Sequence, residues 1–260
     1  MTRRWFGCIR SLTSGALLCV LFLLGAWVHA EESITVVSFG GSYAKACVKG
    51  YHIPFTESTG ITVNLDDYNG GLAQIRAQAE SGSVHWDVVD VESTEAIIGC
   101  DEGLFEPIEL ASLPPAADGT SPVQDYDDDV DLECGVPTIY WATVMAYNRE
   151  LFEGEAPSTV EDFFDLEKFP GRRAMRRTPV ANLEWALMAD GVPLDKIYDE
   201  LGTEEGLVRA FEKLDSIRSS LIWWEAGAQP PQMLADGEVI VSTAYNGRIF
   251  NAQVLEKQPL

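Results

Sequence analysis

The chain has 260 residues, of which 46% are hydrophobic and 23% are charged. This is the composition of an ordinary globular protein, and it argues against a disordered or fibrous chain. The 41 acidic residues far outnumber the 18 basic ones, so the formal net charge is −23 at pH 7. A chain this acidic repels nucleic acid and anionic lipid, and we expect neither as a partner.

The first thirty residues have the three parts of an export signal. Arg3 and Arg4 give a basic start, residues 12–28 are largely apolar, and Ala30 supplies a small residue where a signal peptidase cleaves. We therefore predict that residues 1–30 are a signal peptide, cleaved after Ala30, and that the protein is exported to the periplasm. The paired arginines also fit a twin-arginine signal, so the Sec and Tat routes both stay open.

The residues that follow alternate between short β-branched runs and helical stretches. The runs that indicate strands are 33–39, 61–65 and 87–91. The helical stretches that follow them are 42–51, 71–81 and 94–100. Such alternation predicts a mainly parallel sheet with helices on its faces, and therefore an α/β fold.

The second half of the chain repeats this pattern after a stretch rich in proline, alanine and aspartate, 114–133, which predicts a long surface loop. Apolar residues return at 136–147, and a late strand is predicted at 239–243. The predicted helices are 158–162, 182–189, 204–216 and 231–236. We expect two lobes, 31–136 and 137–260, with a ligand cleft between them, because small-molecule sites favour domain interfaces.

Three of the five cysteines lie beyond the signal peptide, namely Cys47, Cys100 and Cys134. In an oxidising compartment two of them are expected to pair. We favour a disulfide between Cys100 and Cys134, because it would close the loop 114–133 at its two ends and contribute about 3 kcal/mol. The sequence alone does not fix the connectivity, so the other pairings stay open.

The sequence offers no convincing catalytic or metal-binding set. Only His52 and His85 follow the signal peptide, and their spacing is not that of metal ligands. The stretch Gly40-Gly41-Ser42-Tyr43-Ala44 departs from a nucleophile elbow at its last position, and glycine-rich phosphate loops are absent. We predict a binding protein without enzymatic activity, metal or cofactor, with a secreted hydrolase as the remote alternative.

Aromatic side chains occur in loop-like settings where they can line a cleft. They are Tyr140, Trp141, Trp185, Trp223, Trp224 and Tyr245. Aromatic faces pack against alkyl chains and attract ammonium groups by cation–π contact. Core packing is the commoner fate of a tryptophan, and we expect about half of the set to contact a ligand.

Several short segments stand out by their order and spacing along the chain. They are Ser38-Phe39-Gly40-Gly41-Ser42-Tyr43, Trp86-Asp87-Val88-Val89-Asp90, Val136-Pro137-Thr138-Ile139-Tyr140-Trp141, Phe169-Pro170-Gly171-Arg172-Arg173, Asn182-Leu183-Glu184-Trp185-Ala186-Leu187, Gly237-Glu238-Val239 and Ala244-Tyr245-Asn246-Gly247-Arg248. Together they resemble the spermidine/putrescine-type periplasmic solute-binding proteins of ABC transporters, over nearly all of the chain after residue 30.

The resemblance implies a type II periplasmic-binding-protein architecture, in which two α/β lobes joined by a hinge close on the ligand. The implied function is to bind a small amine such as putrescine or spermidine and deliver it to an inner-membrane permease, and we expect a monomer. Members of this family complete the first lobe with C-terminal helices. The resemblance therefore also implies that a C-terminal part is missing here and that lobe 1 is incomplete.

The same resemblance implies a ligand site. Ser42 and Tyr43 would face the ligand from the first loop, Glu92 would bind an ammonium group, and Tyr245 would form an aromatic wall. The other residues expected to approach the cleft are Tyr140, Trp141, Trp224 and Gln229.

Two arginines depart from the pattern of a polyamine receptor. Arg177, with Arg176 before it, stands where polyamine receptors resembling this chain carry carboxylates, and Arg248 puts a positive charge beside Tyr245. A guanidinium repels a polyamine but pairs with a carboxylate. A second ligand class is therefore open, an amino-carboxylate such as γ-aminobutyrate, although a solvated surface position is a competing explanation for each arginine.

Overall fold

The computed structural model of the protein describes residues 32–126 and 132–260. The predicted signal peptide and residues 127–131 of the predicted loop 114–133 lie outside the described residues. Residues Glu32–Leu260 belong to one compact unit that contains two β-sheets. Within the two described ranges, no helix has both the length and the apolar character needed to cross a membrane.

The first sheet is parallel and has the order β2-β1-β3 among the described residues. Its strands are β1 (Ser33–Ser38), β2 (Thr62–Asp67) and β3 (Val88–Val89). Parallel neighbours need crossover connections, and helices supply them. These helices are α1 (Gly41–Cys47), α2 (Ile53–Thr59), α3 (Ala73–Ser81) and α4 (Ser93–Asp101), with a π-helical turn at Val48–His52.

The second sheet has the order β4-β7-β5-β6, and only the β4–β7 pair within it is antiparallel. The strands are β4 (Thr143–Tyr147), β5 (Arg173–Arg176), β6 (Leu221–Trp224) and β7 (Val241–Tyr245). The remaining α-helices are α5 (Pro122–Asp125), α6 (Val160–Phe164), α7 (Asn182–Ala189), α8 (Ile197–Leu201), α9 (Glu204–Asp215), α10 (Gln229–Ala235) and α11 (Asn246–Phe250). Short 3-10 turns lie at Leu110–Ser112, Arg149–Leu151, Leu194–Lys196 and Arg218–Ser220, and a π-helical turn at Asn251–Leu255 follows α11.

The α/β class predicted from the sequence is confirmed, but several element predictions need correction. The late strand begins at Val241, two residues after its predicted start, and the predicted loop 114–133 contains the one-turn helix α5. Strands β4, β5 and β6 are not among the predicted strands, although β4 lies within the apolar stretch 136–147. The reason for β5 is visible in its sequence, because this four-residue strand has arginine at both ends and no β-branched residue.

The disulfide favoured from the sequence is present. Cys100 and Cys134 are bonded, with their Cα atoms 5.6 Å apart, and Cys47 is a buried free thiol. The bond joins the last turn of α4 to the irregular segment that precedes β4.

The core of the second sheet lies on both of its faces, because successive side chains of β5 point in opposite directions. Met175 packs with Phe163 and Leu187 on the face covered by α6, α7 and α9. Ala174 belongs to the other cluster, with Trp224 of β6. Both faces are therefore apolar, as expected of a sheet with helices on each side.

Arg173 is the exception within this core, because it is a fully buried charge. Its guanidinium donates hydrogen bonds to three backbone carbonyls: Nε to Phe163 at 3.0 Å, Nη1 to Gly171 at 2.8 Å and Nη2 to Asp165 at 2.7 Å. Burial lowers the pKa of Arg173. The side chain thus joins the end of α6 and the turn that follows to the start of β5.

Replacing Arg173 by methionine is expected to lower the free energy of unfolding by about 2–4 kcal/mol, because three carbonyls lose their donors. The matched control is Arg172→Met, whose side chain is exposed and should change stability by less than about 0.5 kcal/mol. Chemical denaturation of both variants measures the difference, and equal losses would contradict the role given to Arg173.

Candidate functional site

A cavity of about 1330 Å³ lies between elements of the two sheets. The first sheet contributes residues that follow the carboxyl ends of its parallel strands, among them Tyr43 after β1 and Glu92 after β3. The second sheet contributes Arg176 at the end of β5 and residues 245–248 at the end of β7. Ligands of α/β proteins commonly bind outside the carboxyl ends of parallel strands, so this cavity is the candidate site.

The acidic part of the cavity wall is formed by Glu92 and Asp90. Glu92 precedes α4, and its side chain is only 22% exposed. Burial raises its pKa, the Arg176 guanidinium opposes that rise, and Glu95 adds to it. Burial likewise raises the pKa of Asp90. Poorly solvated carboxylates in one wall favour a cationic group of a ligand, because such a group replaces the lost hydration.

Glu95 holds this acidic wall in position. Its carboxylate accepts a hydrogen bond from the backbone nitrogen of Glu92 at 3.2 Å and another from Gly71 at 2.9 Å. The first bond is part of the N-terminal cap of α4. One side chain therefore fixes both the start of α4 and the loop that precedes α3.

Arg248 is the most deeply buried charge in the cavity wall, at 7% exposure. Its Nη2 donates to the backbone oxygen of Phe39 at 2.7 Å. Its Nη1 is buried and has no hydrogen-bond partner among the residues that the structure describes. Burial lowers the pKa of Arg248. A buried guanidinium with an unused donor is suited to bind a carboxylate.

Arg176 brings a second positive charge to the same cavity. Its Nη2 donates to the backbone oxygen of Asn69 at 2.9 Å, and its Nη1 lies 3.7 Å from the Oε1 of Glu92. The guanidinium carbon is 5.7 Å from the centre of the Tyr245 ring. Arg176 therefore reaches from the second sheet to the loop after β2 and to the acidic wall.

Arg177, the arginine predicted for the site, does not line the cavity. Its side chain is 72% exposed, and its Nη1 lies 3.0 Å from Oε1 of the exposed Glu225. The alternation of side chains along an extended chain explains this, since Arg176 and Arg177 must point to opposite sides. The alternation implies that only one of the two side chains faces the cavity, and the structure shows that it is Arg176.

The aromatic wall is formed by Tyr245 and Trp141, whose ring centres are 5.0 Å apart at an interplanar angle of 78°. Burial is the main reason that the pKa of Tyr245 is raised to about 12. Tyr140 also lines the cavity, as do Ser42 and Tyr43 of α1. Burial, followed by the charge of Asp90, raises the pKa of Tyr43.

Trp224 and Gln229 support this wall without lining the cavity. Trp224 is 1% exposed, and its ring packs edge-on against Tyr245 with the centres 5.5 Å apart. The Oε1 of Gln229 accepts hydrogen bonds from the backbone nitrogens of Glu225 and Ala226, both at 2.8 Å. Gln229 thus fixes the turn that places Gly227 beside the Tyr245 ring.

Two other tryptophans of the predicted set lie elsewhere. Trp185 packs against Phe163, with the ring centres 5.7 Å apart, at the edge of the main core. Trp223 is half exposed and does not line the cavity.

Sequence reasoning missed an aromatic cluster in the first-sheet wall. Phe39 stacks on Tyr68 with the ring centres 5.4 Å apart, and Tyr68 meets Trp86 at 5.6 Å. The Tyr68 hydroxyl also donates a hydrogen bond to the backbone oxygen of Asp90. Phe39 and Tyr68 follow directly after β1 and β2, and Trp86 comes shortly before β3. Proximity to strand ends was therefore the available signal.

Gly41 allows Arg248 to approach the first loop. Its φ is +60°, a region that favours glycine, and a Cβ at this position would overlap Nη1 of Arg248. Gly60 is a useful comparison, because its φ is +78° but a Cβ there would meet nothing within 4 Å.

Gly41→Ala and Gly60→Ala are therefore expected to lose different amounts of stability. Each loses about 1–2 kcal/mol for a non-glycine residue in the left-handed region. Gly41→Ala should lose about 1–3 kcal/mol more, because it displaces a buried, hydrogen-bonded guanidinium. Chemical denaturation of the pair measures this, and indistinguishable losses would mean that Arg248 does not depend on Gly41.

A two-sheet α/β unit, with a cavity that carries both charges and aromatic faces, has the architecture of a small-molecule-binding protein. The chain belongs to the bacterial extracellular solute-binding protein family, whose profile matches residues 51–260.

The chain is similar to a Pseudomonas aeruginosa (strain PAO1) protein named gamma-aminobutyric acid-binding protein. The two are 47% identical over 223 residues, which cover 86% of this chain and 61% of that protein. The chain thus spans less than two thirds of the length of this curated relative.

Solved structures of solute-binding proteins that are similar to this chain confirm the predicted type II fold. One is the periplasmic binding protein MotA of A. tumefaciens B6 in complex with glucopine, 30% identical, with a TM-score of 0.77 over 87% of this chain and 68% of that one. Another is described as the Atu4243-GABA receptor, 31% identical, with a TM-score of 0.70 over 85% of this chain and 65% of that one.

Proposed function

We propose that this chain is the ligand-binding part of an exported receptor for an amino-carboxylate such as γ-aminobutyrate. The observation that carries the proposal is the presence of both charges in one cavity: Arg248 and Arg176 on one side, Glu92 on the other. A ligand with a carboxylate at one end and an ammonium at the other satisfies both.

The carboxylate end of the ligand pairs with the arginines. Arg248 has a buried Nη1 without a partner among the described residues, so a carboxylate there would satisfy a donor that is otherwise unused. Arg176 supplies a second guanidinium in the same cavity. Hydrogen bonds between ionised partners are about twice as strong as neutral ones. The contacts between the ligand carboxylate and the two arginines are therefore the main source of affinity.

The ammonium end of the ligand pairs with Glu92. In the structure Glu92 has Arg176 as a counter-ion at 3.7 Å, a distance longer than a hydrogen bond. An ammonium group placed against Glu92 would supply closer charge pairing. The faces of Tyr245 and Trp141 would contact the methylene groups between the two charged ends.

A polyamine fits this cavity less well. Putrescine and spermidine carry positive charge at both ends, and one end would face Arg176 and Arg248. Placing an ammonium against a guanidinium in a poorly solvated site costs on the order of several kcal/mol, or forces the ammonium to lose a proton. Of the two ligand classes left open by the sequence, the amino-carboxylate is therefore the one that the charges favour.

The comparisons support the same choice. Two relatives at 47% and 31% identity are described as binding γ-aminobutyrate. The family name and the predicted signal peptide support an exported receptor in the periplasm, which would hand its ligand unchanged to an inner-membrane ABC permease.

Isothermal titration of the purified protein is expected to give saturable one-site binding of γ-aminobutyrate, with putrescine and spermidine binding at least about tenfold more weakly, or 1.4 kcal/mol. Tight binding of a polyamine with no heat from γ-aminobutyrate would overturn the proposal.

Arg176, the last residue of β5, and Arg177, directly after it, provide matched variants for the same titration. Arg176→Gln removes a cavity charge and should weaken γ-aminobutyrate binding about tenfold or more, whereas Arg177→Gln removes an exposed charge outside the cavity and should leave it unchanged. Equal effects of the two substitutions would argue against this ligand pose.

The affinity for γ-aminobutyrate is also expected to depend on pH. The ionised form of Glu92 binds the ammonium, and its raised pKa means that it is protonated at a higher pH than an ordinary glutamate. Affinity should therefore be full near neutral pH and fall as the pH drops through the raised pKa of Glu92, with Asp90 acting in the same direction.

The control for this pH profile is Glu92→Gln, which should bind more weakly at neutral pH and show a smaller fall in affinity at acidic pH, because only Asp90 then contributes. Titrations across the acidic range compare the two proteins. An identical profile for both would show that Glu92 does not contact the ammonium.

A further inference from the structure

One wall of the cavity is formed by a segment without helix or strand. We call residues 134–142 the strap, and every residue from Gly135 to Trp141 lines the cavity. The strap carries two of the aromatic side chains of the site, Tyr140 and Trp141. Because it lacks the backbone ladder of a sheet or helix, its position must be set by attachments.

The far end of the strap is attached to the second sheet. The backbone nitrogen of Ala142 donates to Oδ1 of Asn246 at 3.1 Å, and the backbone nitrogen of Asn246 donates to the oxygen of Ala142 at 3.0 Å. The chain then enters β4, which pairs with β7. This reciprocal pair of bonds fixes the strap immediately after Trp141.

The near end of the strap is attached by the disulfide to α4. Cys134 is bonded to Cys100 in the last turn of that helix, and Glu92 immediately precedes its first turn. A single helix thus connects the acidic wall of the cavity to the start of the strap. The backbone bond from Ile108 to the oxygen of Glu133, at 2.9 Å, lies just outside the strap.

Trp141 closes this arrangement on the other side. Its ring packs on Tyr245, and a hydrogen bond from its side chain partly offsets the rise that burial causes in the pKa of Glu92. Glu92 and Trp141 are thus connected twice. One connection is the covalent route through α4, the Cys100–Cys134 disulfide and the strap, and the other is the direct hydrogen bond between their side chains.

Breaking the disulfide removes the covalent attachment at the near end of the strap. The near part of the strap is then held only by hydrogen bonds, such as the one from the Tyr51 hydroxyl to the backbone oxygen of Thr138 at 3.5 Å and the neighbouring Ile108–Glu133 bond.

We propose that the Cys100–Cys134 disulfide is a positioning element of the binding site, which holds Trp141 against Glu92 and Tyr245 in the geometry that receives the ligand. The proposal rests on the proposed function of the cavity. Without the disulfide the strap samples more conformations, and the ligand must order it on binding. That ordering weakens affinity through loss of preorganisation, and it shows mainly as faster dissociation.

The test compares the wild-type protein with the double variant Cys100→Ser/Cys134→Ser, by titration with γ-aminobutyrate at a temperature where circular dichroism shows both to be folded. The expected result is binding about tenfold weaker in the double variant, from loss of preorganised side chains. Gly60→Ala is the control for lost stability, because that glycine lies outside the cavity. It should bind like the wild type.

A second readout reports on the strap itself. Acrylamide quenching of tryptophan fluorescence should increase in the double variant, and the increase should disappear when Trp141→Phe is added to both proteins. A purely structural role of the disulfide would lower the unfolding temperature without this change at one tryptophan.

Reduction of the wild type keeps the test valid if the double variant does not fold. Dithiothreitol transfers two electrons and two protons to the disulfide, giving two thiols and cyclic oxidised dithiothreitol, and affinity should fall and return on reoxidation. Equal affinity of the oxidised protein and both forms without the disulfide would overturn the inference. Failure of the oxidised wild type to bind γ-aminobutyrate would instead overturn the proposed function.

Discussion

The contact between Arg248 and the first loop is the interaction on which the site depends. It joins residues 209 positions apart, because the guanidinium of α11 donates to the backbone oxygen of Phe39 directly after β1. The approach requires Gly41, where any side chain would occupy the space of the guanidinium. With the bond from Arg176 to Asn69, this hydrogen bond joins the ends of the two sheets, and the buried charge of Arg248 limits what the cavity can bind.

The electrostatics of the cavity follow from this placement. Arg248 and Arg176 are both contributed by the second sheet, whereas Glu92 and Asp90 follow β3 of the first. Among the charged lining residues that are not exposed, the second sheet thus contributes the positive ones and the first sheet the negative ones, and Arg176 already reaches the acidic side. A cavity built in this way discriminates by the sign and order of charges in a ligand, because a molecule with the same charge at both ends must place one end against its own sign.

The sequence predicted the first sheet better than the second, for a physical reason. The β1 run Ser33–Ser38 is β-branched and short, and its helix follows at once, so local pattern and tertiary structure agree. In β5, Arg173 is buried only because three carbonyls from α6 and its following turn surround it, which no local pattern reveals.

The same limit applies to the prediction of the site residues. Tyr43, Glu92 and Tyr245 follow strand ends and could be predicted, whereas the choice between Arg176 and Arg177 required the direction of one strand.

Trp224 and Gln229 were predicted to approach the ligand, and the structure gives them a different place. Both act one layer behind the cavity, Trp224 beneath Tyr245 and Gln229 on the turn beside it. Substitutions of Trp224 or Gln229 can therefore alter the shape of the cavity while every lining residue stays the same. Two homologues with identical cavity linings but different residues at these two positions would have differently angled aromatic walls. The ligand preference of one homologue therefore does not follow from a comparison of lining residues alone.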